Sequence, residues 1–65
     1  MATTAFDVVL KELSERRDVI AQALAGGSAK DFAEYQNMCG EIRGLSYAHA
    51  IITDLVRNLE LSEDV

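Results

Sequence analysis

The side chains best suited to chemistry in this sequence are one thiol, Cys39, one imidazole, His49, and the carboxylates Asp31, Glu34, Glu41 and Asp54. A thiol and an imidazole act together as nucleophile and base when they lie about 3 Å apart. On one helix the ten positions between Cys39 and His49 span about 15 Å, too far for that chemistry. Cys39 therefore reads as a small buried hydrophobe and His49 as a hydrogen-bonded residue in an apolar seam. One Cys and one His fall short of the four ligands of a structural zinc site. The acids are not set in the Glu-x-x-His pattern of a carboxylate-bridged metal pair, and acids along a helix usually mark a wet face. The expectation is a chain with no catalytic residues, no metal and no cofactor. Glu12 with Arg16 and Asp54 with Asn58 are four-residue neighbours, the former offering at most a few tenths of a kcal/mol of helix support.

Composition points the same way. Sixty-five residues make one domain at most, and a core of that size is marginal unless disulfides, metals or self-association support it. A lone cysteine forms no internal disulfide, so self-association is the expected help; the free thiol itself is compatible with a reducing cytoplasm. Eleven acidic residues against six basic ones give a net charge of −5. The bases Lys11, Arg16, Arg17, Lys30, Arg43 and Arg57 are dispersed, unlike the clustered cations of a nucleic-acid binder. The acids are interspersed with them rather than massed on one face, which argues against mimicry of DNA. The longest apolar-leaning run, residues 48–56, is far short of the roughly 20 needed to cross a membrane. "MATTAFDVVLKEL" lacks the basic stretch that opens a signal peptide and reads as the start of a helix. No direct nucleic-acid contact and no membrane contact are expected.

The elements follow from periodicity and punctuation. Chain-closing glycines at Gly26 and Gly27, then Ser28 three residues before Asp31, predict that one helix ends and another begins in "AGGSAKD". A first helix over about 4–25, capped by Thr3 or Thr4 with Asp7 near its positive end, a turn over 26–28 and a second helix over about 29–60 are expected, with "LSEDV" fraying. Phe6, Leu10, Leu13, Ile20 and Leu24 form the apolar seam of helix 1, widened by Val9 and interrupted by Arg17. In helix 2, Tyr35, Met38, Ile42, Leu45, His49, Ile52, Val56 and Leu59 alternate spacings of three and four without a slip, the repeat of helices packed at a shallow angle. A short connection makes the helices antiparallel. The expected fold class is all-α: a single-domain antiparallel two-helix hairpin with a longer second helix, oligomeric.

Two features of helix 2 predict an interface. Helix 1 is expected to shield only residues 29–50, leaving Ile51, Ile52, Leu55, Val56 and Leu59 on an overhang, each worth about 1.5–3 kcal/mol when buried. Gly40 and Gly44 each cost a helix interior about 0.8–1 kcal/mol relative to alanine. They line up with Tyr47, Ala48, Ile51 and Leu55 in a second stripe away from the seam. Small residues four apart allow close approach of another helix, as in the GxxxG pairs of membranes. Tyr47 is read as an interface anchor or an exposed ring, and Arg43 as reaching a partner's acid or lying over apolar surface.

The run "EYQNMCGEIRGLSYAHAIITDLVRNLE" carries Tyr35, Gly40, Ile42, Arg43, Gly44, Leu45, Ala48, Ile52, Asp54 and Leu55 in a pattern that resembles short helical accessory and virion-associated proteins of tailed bacteriophages. The resemblance covers somewhat under half of the chain, and helix 1 adds no diagnostic motif. It implies a phage protein acting in a virion or in the host cytoplasm during assembly. The expected function is non-enzymatic: self-association, or docking on a larger phage structural protein, through helix 2. The competing reading is a small acidic regulatory protein that binds and inhibits a bacterial enzyme, and a weaker third is a small enzyme subunit.

Overall fold

A computed structural model describes residues 2–63 as two antiparallel helices, α1 (Ala2–Ala25) and α2 (Phe32–Glu63). The expected all-α hairpin with a longer second helix is what forms. Asp64 and Val65, part of the tail expected to fray, lie outside the described residues, while Leu61 to Glu63 continue α2. The expected start at Thr3 or Thr4 is corrected, because α1 already begins at Ala2 and both positions fall inside it; its first turn contains no acid, since Asp7 comes a turn later.

The connection is built from hydrogen bonds the local sequence supplies. At the end of α1 the Gly27 amide donates to the Leu24 carbonyl at 3.1 Å and the Ser28 amide to the Ala23 carbonyl at 2.9 Å, the paired bonds of a Schellman turn. That turn requires a left-handed residue, and Gly27 supplies it at φ 80°. Ser28 is thereby spent on closing α1, and the cap of α2 falls to Asp31. Its Oδ1 accepts from the Glu34 amide at 2.8 Å, and its carbonyl accepts the first helical bond, from the Tyr35 amide at 3.0 Å. The second helix thus begins at Phe32 instead of 29, with Glu34 placed favourably in its positive first turn.

The register is marked by an ion pair across the helices. Arg16 donates from Nε and Nη2 to Oε2 of Glu41 at 3.2 and 3.0 Å. Arg16 thus reaches across to α2 and not to its helix neighbour Glu12, and Asp54 sits 3.9 Å from Arg57. Counting ten residues back along α1 and ten on along α2 from that level, Phe6 comes level with position 51, and the start of α1 with position 55. The expected overhang is accordingly corrected. Because α1 extends to Ala2 and α2 starts later, Ile52 and Val56 are half-buried on the seam rather than projecting beyond it. Past that level only the last two turns of α2 are unaccompanied.

Seam positions Phe6, Leu10, Leu13 and Leu24 of α1, and Met38, Ile42, Leu45 and His49 of α2, are half-buried as the periodicity predicts. Arg17 fills its gap in the stripe half-buried, its stem available to cover apolar neighbours. Val9 is exposed, so the α1 seam is narrower than expected. Among the described residues only Ile20 is fully shielded, at 5% exposure. Two rods meeting along one line cannot enclose a core. The Cα envelope measures 52 × 15 × 12 Å. No described helix is long and apolar enough to cross a membrane.

Candidate functional site: the outer face of the second helix

The groups considered for chemistry do not converge. Cys39 is half-buried beside the seam, and His49 sits on the seam with its own neighbour. The Thr53 hydroxyl donates to the His49 carbonyl at 2.8 Å, and its oxygen lies 3.5 Å from His49 Nδ1. With its proton given to the carbonyl, the hydroxyl is left as an acceptor towards the ring. Asp31 is committed to its cap and Glu41 to Arg16. No group of three or more potential ligands gathers, and no pocket opens, among the described residues.

What the fold does assemble is a continuous exposed stripe on α2, turned well away from the seam. Successive steps of three and four run through Ala33, Asn37, Gly40 and Gly44, then through Tyr47, Ile51 and Leu55, and end at Asn58. All eight are exposed and none is charged. Tyr47 is 72% exposed, more than any other large hydrophobic residue described. The glycines explain themselves here in part: a Cβ built on Gly40 or Gly44 meets nothing within 4 Å. Nothing inside the hairpin needs either residue to be small.

Of the residues predicted to make the interface, Gly40, Arg43, Gly44, Tyr47, Ile51 and Leu55 lie on or beside this stripe and are exposed. Leu59 is exposed on the unaccompanied end of the seam, and Ile52 and Val56 belong to the seam itself. Ala33, Asn37 and Asn58 were missed. Their polarity or small size gives no hydrophobic signal, though the same three-four spacing extended from Gly40 and Tyr47 reaches them. Opposite this stripe, the outer surface of α1 is different in kind: exposed Val8 and Val19 are separated by Lys11, Glu12, Glu15 and Asp18.

A smaller cluster occupies the start of α2. The Phe32 and Tyr35 rings stack with centroids 6.2 Å apart and an angle of 26°. Hydrogen bonding with the Cys39 thiol one turn on, followed by repulsion from its thiolate and then burial, raises the Tyr35 phenol above its ordinary 10.0.

Compared with protein-family models, curated proteins and solved structures, the chain gives no significant match to any.

Proposed function

We propose that this chain is a non-enzymatic assembly protein that works by burying the outer face of α2, against itself or a larger structural protein. The observation that carries this reading is the charge-free stripe on which Tyr47, Ile51 and Leu55 stand 72%, 53% and 43% exposed. Contiguous apolar surface of this kind on a helix is what interfaces use, with tyrosine a favoured anchor. The resemblance of residues 34–60 to short helical phage proteins is what suggests virion assembly as the setting, in the particle or in the host cytoplasm where particles are built.

The experiment is to purify phage particles carrying the gene and follow the protein through a density gradient. It is expected to travel with particles or assembly intermediates, and Tyr47→Lys with Ile51→Lys is expected to release it. A protein absent from every assembly fraction that instead binds and inhibits a bacterial enzyme through its acidic surface would replace this reading with the regulatory one. Retention of the double-lysine variant would remove the α2 face from the mechanism.

A further inference from the structure

Resting on the reading that the outer face of α2 associates, we infer that its occupant is a second copy of this chain, laid antiparallel. Ile51 and Leu55 of each protomer then cover Gly44 and Gly40 of the other. The stripe is graded along its length: its first half is small, ending at Gly40 and Gly44, and its second half is large, at Tyr47, Ile51 and Leu55. A parallel pair would lay large on large at one end and leave a gap over the glycines at the other. An antiparallel pair sets large on small at both ends. Gly40 and Gly44 are four residues apart, as are Ile51 and Leu55, so one register satisfies both contacts. The same register places Tyr47 level with the partner's Ala48, beside the two-fold axis.

Charge selects the same orientation. Arg43 and Asp54 lie along the same margin of the stripe, eleven residues and about three turns apart. In an antiparallel pair like margins meet, and this register brings Arg43 within two residues, about 3 Å of rise, of level with the partner's Asp54. Arg43 is exposed and makes no ion pair among the described residues, while Asp54 has only an exposed contact to Arg57 at 3.9 Å. The pairing would occur twice per dimer. A parallel pair would instead bring opposite margins together and keep Arg43 apart from the partner's Asp54.

Area supports a partner of this size. The chain exposes 4925 Å², whereas a compact protein of 7.1 kDa exposes about 4,100 Å². The excess is comparable with the roughly 800 Å² that each partner contributes to a standard interface. Since α1 lies against the seam, well round the helix, it leaves the stripe clear.

The test uses the full chain with Cys39→Ser as background. Sedimentation equilibrium is expected to give twice 7.1 kDa. On oxidation, Ala48→Cys is expected to link to itself, because it lies beside the axis. Leu55→Cys is expected not to self-link, its two copies being about 22 Å apart, but to link to Gly40→Cys when the two are mixed. Arg43→Glu or Asp54→Arg alone should weaken dimerisation several-fold, and the double exchange should restore it. Self-linking of Leu55→Cys as readily as Ala48→Cys overturns the antiparallel register while leaving association through α2 standing. A single-chain mass at millimolar concentration overturns the second copy. If that monomer still binds particles through Tyr47 and Ile51, the function proposed above survives the loss; if it does not bind them, both fall.

Discussion

Asp31 and Ser28 stand three positions apart, and either type of side chain can cap a helix, yet only Asp31 receives the Glu34 amide. Asp31→Ala is therefore expected to cost about 1 kcal/mol in urea unfolding followed by helical circular dichroism, and Ser28→Ala close to nothing. Gly27 and the two mid-helix glycines make a similar contrast. Gly27→Ala forces a side chain into the left-handed region at φ 80° and should destabilise by about 1–2 kcal/mol. Gly44→Ala finds open space in the single hairpin, so it should add about 0.8–1 kcal/mol of helix propensity. If it also lowers the association constant, the glycine is there for the neighbour. Tyr35 offers a pH test. Its pKa is raised in the folded chain, so the contribution this makes to stability is whole below the unfolded value of 10.0 and is lost as pH climbs through the folded one. In a Tyr47→Phe background, phenolate absorbance should titrate above 10.0, and Cys39→Ala should bring the midpoint down.

At the scale of the helices, the seam repeat was legible because spacing of three and four survives every tertiary context that buries one face. All seam positions from Met38 to Val56 are half-buried accordingly. Their bounds were less legible. Whether Ser28 belongs to a turn or a helix start depends on which carbonyl its amide meets, and that was settled by the Schellman closure at Gly27. A shift of three residues at the start of α2 moved the whole register and drew Ile52 and Val56 under cover. Ile20 is the position on which the packing of the two rods most depends, at 5% exposure. Ile20→Ala is expected to lose on the order of 2–4 kcal/mol by thermal or urea unfolding. The Arg16–Glu41 pair, with side chains 59% and 46% exposed, marks the register more than it secures it. Arg16→Ala should change stability by no more than about 1 kcal/mol.

For the molecule as a whole, a domain of this length would ordinarily hold about 3–10 kcal/mol of stability. One fully shielded residue among those described is a small foundation for that. Association would supply the remainder, and it would do so by mass action, so the melting temperature of the protein should rise with its own concentration. Scanning calorimetry across a hundredfold dilution is the measurement, and an invariant midpoint would mean that the hairpin stands alone. In the proposed dimer the acidic balance of −5 would oppose indiscriminate contact, leaving selection to the uncharged stripe and its flanking Arg43 and Asp54.

Local chemistry alone specified two rods, a glycine-closed bend between them and the faces on which they meet, because helix periodicity and chain reversal depend on neighbours within a few residues. It also picked out Gly40, Gly44, Tyr47, Ile51 and Leu55 as a second face. Length matching lay beyond it: how far α1 reaches along α2 follows from where each helix starts, and those starts depend on competing hydrogen bonds. Periodicity already set Ile52 and Val56 on the seam and Ile51 and Leu55 on the second face, adjacent residues being turned by about 100°; only the register brings α1 far enough along α2 to shield the first pair while the second faces water.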